Sequence, residues 1–158
     1  MVLCALGAFI GMGATGEIVV AFAPDVLPRE ATAIPFMAAH QTSWLLRSWM
    51  LGSNAINIVC AILLIRSAIR IRRGDIRGWR QMRAATVTLA VIAFAGILVC
   101  LPYLLPLPAA PLRAPSLFML ASVVGAGAGL ATLCLVLSRV ARNKIVPHSN
   151  AASRTPSP

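Results

Sequence analysis

Four long apolar runs dominate the pattern of hydrophobic and polar positions along this chain, and short polar segments separate them. Each run has about 20 residues, which as an α-helix spans the roughly 30 Å hydrocarbon core of a bilayer. Lipid offers no hydrogen-bond partner to backbone amides, so spanning segments must be helical. The pattern therefore predicts an all-α integral membrane bundle of four transmembrane helices, at about 2–22, 44–65, 84–105 and 116–138.

The predicted helices form one domain over residues 1–146. The polar segment 147–158 has little apolar surface to bury, so it is predicted to be a disordered cytoplasmic tail. The first run lacks a positively charged leading segment, which favours a retained helix over a cleaved signal peptide. Segment 102–115 contains five prolines, and a stiff extended path is expected there.

The basic residues indicate an orientation. The chain has 14 lysines and arginines and a formal net charge of +10. Seven arginines lie within 66–83 and further basic residues follow Ser138, directly beside apolar runs. This arrangement is typical of the cytoplasmic face of a membrane and argues against nucleic-acid binding. We expect a bacterial inner-membrane protein with both termini cytoplasmic.

The central basic segment is expected to contact anionic lipid headgroups, and a protein partner is the alternative. The segment is expected to continue helically from both flanking spans, with Gly74 and Gly78 as the helix breakers. The residues assigned to headgroup contact are Arg70, Arg72, Arg73, Arg77 and Trp79.

The second predicted helix has a polar face. Ser43, Arg47, Asn54 and Asn57 share an arc of about 80° on a helical wheel. An asparagine within the bilayer needs a hydrogen-bond partner, so this face should point into the bundle. Two interpretations follow: an outward-opening polar pocket, or hydrogen bonds between helices that only fix packing.

Glu17 is the only acid within a predicted span, and Arg47 lies at a similar depth in the outer half. An ion pair between them is one hypothesis, and a protonated or snorkelling Glu17 is the other. The candidate ligand-binding set is Glu17, Arg47, Asn54, Asn57 and His40. The stretch GATGEIVVAF resembles small multidrug transporters in the placement of its glutamate. Those proteins carry an aromatic-glycine pattern in later helices, and their central loop is unlike this basic one, so the chain is not assigned to that family.

Small residues at four-residue spacing predict close helix packing. Gly7 and Gly11 form such a pair in the first helix, and Gly125 and Gly129 form one in the fourth. We expect the first helix to pack on the fourth, with a homodimer seam as the alternative.

The remaining chemistry-bearing residues predict no catalytic, metal or cofactor site. The four cysteines fall in different apolar runs without a CxxC pair, and are expected to be small buried apolar residues. No HExxH, P-loop or nucleophile elbow is present. The leading functional hypothesis is an accessory subunit or small-ligand-binding membrane protein. The alternatives are a proton-coupled transporter using Glu17 and a membrane oxidoreductase acting on a lipid-soluble substrate.

Overall fold

Helices account for nearly all of the described chain. The computed structural model describes residues 2–22, 39, 42–108 and 112–152, with side chains for all of these except 16–17, 19–22 and 146–152. No strand occurs in these ranges, so the predicted all-α class is confirmed. The helices are α1 (Val2–Phe22), α2 (Trp44–Arg72), α3 (Ile76–Leu104) and α4 (Arg113–Ala152).

Three of the helices are long and apolar enough to cross a membrane: α2, α3 and the segment Arg113–Ile145 of α4. In α1 the apolar stretch with described side chains, Val2–Thr15, is shorter. The outer surface suits lipid, since Val91, Phe94 and Leu98 on α3 are each more than half exposed. Large apolar side chains in such numbers on the outside of a bundle are expected where hydrocarbon replaces water.

The central basic segment is mostly helical, so α2 extends beyond the predicted end at residue 65, and α3 begins before residue 84. Gly74 makes the reversal between them with a φ of 75°, a conformation that glycine adopts without steric cost. Asp75 then caps α3 by accepting a hydrogen bond from the backbone N of Arg77 at 2.8 Å. The arginines therefore lie on two helix ends joined by a tight turn.

Gly78 does not break a helix, contrary to expectation. It is a buried residue of the first turns of α3. A Cβ at this position would lie 2.9 Å from the backbone N of Ile71 and 3.0 Å from Cβ of Arg70. The glycine is needed because the ends of α2 and α3 approach each other closely here.

The proline-rich segment is less extended than predicted. Pro102 lies inside α3, and Leu105 N still donates to the Leu101 carbonyl at 2.9 Å. Pro115 falls in the first turn of α4, where the missing N–H has no helical partner to lose. Only the part between Leu104 and Arg113 connects the two helices, and residues 109–111 lie outside the described residues.

The fourth helix is longer than the predicted span 116–138 and continues to Ala152. It includes the first six residues of the segment predicted to be a disordered tail, and residues 153–158 lie outside the described residues. Adding a residue to an existing helix costs far less than nucleating one, which explains why α4 continues past its apolar part.

Two clusters of buried side chains hold the described helices together. The larger draws on all four helices, and the smaller lies near Tyr103 at the end of α3 remote from the arginines. The larger contains Ile10, Cys60, Ala61, Leu64, Met82, Ala85, Leu89, Ala90, Cys134 and Ala141; the smaller contains Leu46, Cys100 and Leu104.

The packing of the glycine motifs differs from the prediction that the first helix packs on the fourth. Gly7 faces α2, where a Cβ would lie 2.9 Å from the Ala61 carbonyl oxygen, and Gly11 faces the Ala61 side chain. A Cβ at Gly125 or Gly129 would meet no atom within 4 Å among the described residues. Spacing identifies where backbones can approach, but the partner depends on which neighbour the chain topology supplies.

Candidate functional site

The polar face of α2 is unevenly buried along the helix. Ser43 is half-buried and caps α2, where its Oγ accepts from Leu46 N at 3.4 Å. Asn54 is only 3% exposed, and Asn57 is half-buried. Arg47 is exposed at the edge of this face. The Asn54 amide is therefore enclosed by the bundle, whereas Arg47 lies at the surface of the bundle.

A hydroxyl pair lies at the end of this face that is remote from the arginines. Ser43 Oγ lies 3.1 Å from Tyr103 Oη, and the bond joins the start of α2 to the end of α3. The pair sits beside the smaller buried cluster, which Tyr103 and Met50 contact. Hydroxyls that satisfy each other are compatible with a low-dielectric surrounding.

Another hydroxyl lies near the same end of the bundle. Ser116, in the first turns of α4, is 6% exposed, and its Oγ has no hydrogen-bond partner among the described residues. Its helix places Met119 and Leu120 one turn further along, and both contact the smaller cluster. Three helices thus bring polar groups to the smaller cluster, at the end of the bundle remote from the arginines.

Two residues of the predicted ligand-binding set cannot be placed by this structure. Glu17 belongs to α1, but its side chain lies outside the described residues, and so does His40 altogether. The predicted ion pair between Glu17 and Arg47 therefore stays a prediction. Arg47, Asn54 and Asn57 do lie along one helix, as the sequence requires.

The opposite end of the bundle is basic on three helices. Close contacts set the helix register: Gly78 of α3 lies against Arg70 of α2, and Gly127 of α4 lies against Ala93 and Ile97 of α3. Because α3 and α4 run antiparallel, equal numbers of residues counted from the second contact, forward along α4 and backward along α3, reach the same depth in the bundle. Arg142 therefore lies level with Arg80, and Arg139 lies level with Arg83. We call these residues the basic collar: Arg66, Arg70, Arg72, Arg73, Arg77, Arg80, Arg83, Arg139, Arg142 and Lys144.

The collar faces outward on a packed support. All of its members are exposed except Arg70, which is half-buried. Beneath them, Met82 and Ala141 belong to the larger buried cluster, and Trp79 packs against it. Trp79 was predicted to contact headgroups, and the structure places it half-buried at the inner side of the collar. Packed helices therefore order the backbone from which these charged side chains project.

Sequence reasoning missed two residues of these sites. Tyr103, the chain's only tyrosine, falls where the predicted helix 84–105 and the proline-rich segment 102–115 overlap, and it was given no role. Gly127 was overlooked because it lies outside the four-residue spacing, yet a Cβ there would lie 2.8 Å from Ile97 Cγ1. The available signal for Tyr103 was its place at the end of an apolar run. No signal in the sequence marked Gly127.

The cysteines follow the expected burial at three positions. Cys60, Cys100 and Cys134 are buried, whereas Cys4 is exposed on α1. Among the described residues no three histidine, cysteine, aspartate or glutamate side chains come together as metal ligands.

Fold and sites together define a helical membrane protein with a cationic end. No protein-family model, curated protein or solved structure matches this chain. Its function therefore has to be argued from its own residues.

Proposed function

We propose that this chain is a four-span accessory protein of the bacterial inner membrane, with both termini cytoplasmic, whose basic collar binds anionic phospholipid headgroups. In this arrangement α1 is the fourth span, and the turn at Gly74 and the end of α4 lie on the cytoplasmic side. The excess of arginine at one end of the helices supports this orientation. Lipid phosphates match the charge and the hydrogen-bonding capacity of clustered arginines.

The single observation that carries the proposal is the outward exposure of the collar on three packed helix ends. Each arginine near an anionic surface contributes about 1 kcal/mol of attraction. Arginine also forms bidentate hydrogen bonds with phosphate, which favours headgroup contacts over simple charge attraction. Asp75, within the same segment, uses its carboxylate to cap α3.

Quenching of Trp79 by brominated lipids tests this contact. In a Trp44→Phe/Trp49→Phe background Trp79 is the only tryptophan, and it lies between Arg77 and Arg80 in sequence. Brominated phosphatidylglycerol should quench it more strongly than brominated phosphatidylcholine. Arg77→Gln/Arg80→Gln should lower the relative affinity for phosphatidylglycerol about 30-fold, from about 1 kcal/mol per arginine.

Arg113 provides the matched control. It is an exposed arginine at the other end of the bundle, in the first turn of α4, and Arg113→Gln should leave the quenching ratio unchanged. High salt should reduce the preference for phosphatidylglycerol, because it screens exposed charges. Equal quenching by both lipids in the unsubstituted protein would contradict headgroup binding and favour a protein partner for the collar.

Topology reporters test the orientation separately. A reporter inserted at Gly74 should report the cytoplasm, and one inserted at Ala109 should report the periplasm. A reporter fused after Ser138 should also report the cytoplasm. A periplasmic signal at Gly74 would overturn the orientation, whatever the lipid measurements show.

A second candidate function is binding of a small polar ligand, or proton-coupled transport, at the outer end of the bundle. The observation that favours it is the group of buried or half-buried polar side chains there, Ser43, Asn54, Tyr103 and Ser116. Glu17 would supply the titrating carboxylate. Proton-coupled uptake in vesicles that is lost in Glu17→Gln would support transport, and stability changes without any uptake would assign the polar face to architecture.

A further inference from the structure

Four arginines of the basic collar belong to α3 and α4, which pack against each other as antiparallel neighbours. Arg83 lies level with Arg139, and Arg80 lies level with Arg142. The two levels are about 4.5 Å apart along the helices, at a rise of about 1.5 Å per residue. All four side chains are exposed. We call these four residues the arginine quartet.

The arginines of α3 lie on the flank of the helix that faces away from the larger buried cluster. Ala93 and Ile97 mark the direction of α4, because both contact it. At about 100° per residue, Arg83 lies about 60° and Arg80 about 120° to one side of that direction. Leu89, a member of the larger cluster, lies about 60° to the other side.

The same division holds on α4. Gly127 marks the direction of α3. Arg142 lies about 60° and Arg139 about 120° to one side of Gly127, whereas Leu130 and Leu137 lie about 60–80° to the other side. Both leucines pack against the larger cluster. Because the cluster lies on one side of the α3–α4 pair, the whole arginine quartet lies on the opposite side, where lipid is the neighbour.

Exposed apolar side chains continue this face toward the hydrocarbon. Val87 and Phe94 of α3 are 41% and 62% exposed, and Leu135 of α4 is 52% exposed. Val87 lies about one turn beyond Arg83, and Leu135 lies about one turn before Arg139, so both are beneath the quartet on the membrane side. A lipid on this face would meet cations at its headgroup and apolar side chains along its acyl chains.

We propose that the arginine quartet, with the apolar side chains beneath it, binds cardiolipin, a phospholipid in which one glycerol joins two phosphates. The proposal rests on headgroup binding by the basic collar and names the headgroup and the helix pair. Arginine forms bidentate hydrogen bonds with phosphate, and four guanidinium groups at two levels offer partners to both phosphates. Basic surfaces between membrane helices on the cytoplasmic side are typical of cardiolipin sites.

The linkage of the two phosphates gives cardiolipin its advantage over phosphatidylglycerol. Once one phosphate is bound, the second binds within the same molecule at a high effective concentration. Two phosphatidylglycerol molecules would each lose translational and rotational freedom to make the same contacts. Cardiolipin should therefore bind more tightly even when the two lipids are compared at equal phosphate concentration.

Native mass spectrometry of the full chain in detergent micelles tests the proposal. Cardiolipin and phosphatidylglycerol are titrated separately at equal phosphate concentration, with phosphatidylcholine as the reference. The first cardiolipin should bind about 10-fold or more tightly than the first phosphatidylglycerol. Arg83→Gln/Arg142→Gln should weaken cardiolipin binding about 30-fold, from about 1 kcal/mol per arginine, and should remove most of its preference over phosphatidylglycerol.

Arg72→Gln/Arg73→Gln is the matched control, because it removes the same charge from the end of α2. Gly78, which contacts α2, lies on the cluster side of α3, so α2 is remote from the quartet face. This variant should weaken the binding of both lipids and leave the ratio of their affinities unchanged.

Two results would overturn the cardiolipin site while leaving headgroup binding by the collar intact. One is equal affinity of the unsubstituted protein for cardiolipin and phosphatidylglycerol at equal phosphate. The other is an equal loss of the cardiolipin preference in the two double variants, which would mean that total charge and not the quartet selects the lipid. Binding of neither anionic lipid in preference to phosphatidylcholine would instead contradict the proposed function, and the cardiolipin site with it.

Discussion

Gly7→Ala tests the packing of α1 on α2 most directly. The added Cβ would lie 2.9 Å from the backbone carbonyl oxygen of Ala61 and 3.0 Å from Ile65 Cγ1. The isoleucine side chain can rotate, but the carbonyl cannot move without moving α2. Overpacking of this kind costs about 1–3 kcal/mol.

The substitution also has a favourable term, because alanine is about 1 kcal/mol better than glycine inside a helix. Gly13→Ala isolates this term, since nothing lies within 4 Å of a Cβ at Gly13. Gly11→Ala should behave similarly, because its Cβ would meet the Ala61 side chain at an ordinary 3.7 Å. The stability of Gly7→Ala should therefore lie about 1–3 kcal/mol below that of Gly13→Ala.

Unfolding in mixed micelles at increasing SDS mole fraction, followed by far-ultraviolet circular dichroism, measures these differences. The comparison between two glycine-to-alanine changes on one helix cancels most effects of propensity. If Gly7→Ala and Gly13→Ala have equal stability, α1 does not approach α2 as described. If Gly11→Ala is the most destabilised of the three, the contact exists but the helix is rotated.

Three further comparisons test other features by the same unfolding assay. Gly74→Ala should cost about 1–2 kcal/mol, because a φ of 75° is unfavourable for an L-residue, and no loss would mean that the turn differs. A double-mutant cycle of Ser43→Ala and Tyr103→Phe should show a coupling of about 0.6 kcal/mol in the free energy of unfolding, which is typical of hydrogen bonds within membranes. Additive effects of the two substitutions would contradict the hydrogen bond between Ser43 and Tyr103. Gly127→Ala should be less stable than Gly125→Ala, whose Cβ meets open space, and the reverse order would place the wrong face of α4 against α3.

The existence of the helices could be predicted from the sequence, but their ends could not. Apolar runs about 20 residues long mark where helices must lie in a bilayer. Charge does not end a helix, because arginine is nearly as good a helix former as leucine. The backbone reversal at Gly74 is what separates α2 from α3, and Gly78, which has the same residue type, lies inside a helix.

The positions of polar residues could be predicted from the sequence only where all of them lie on one helix. The spacing of Arg47, Asn54 and Asn57 was sufficient to place them along one side of α2, and the burial of Asn54 fits an intramembrane amide. The bond between Ser43 and Tyr103 depends on how α2 and α3 align, and that alignment is set by packing. The shared cluster of Cys60 and Cys134 also depends on the arrangement of several helices.

The lengths of the helices explain why the cationic end is rigid. α2 and α3 each contain 29 residues and are therefore about 43 Å long, which exceeds a hydrocarbon core of about 30 Å. The surplus turns must project from the bilayer, and the arginines identify the end at which they do. Because Met82 and Ala141 continue the buried cluster into these turns, the collar is part of a packed bundle. Because the backbone beneath these cations is already ordered, binding phosphate costs side-chain entropy only, so the collar should prefer anionic lipid more strongly than a flexible loop of equal charge would.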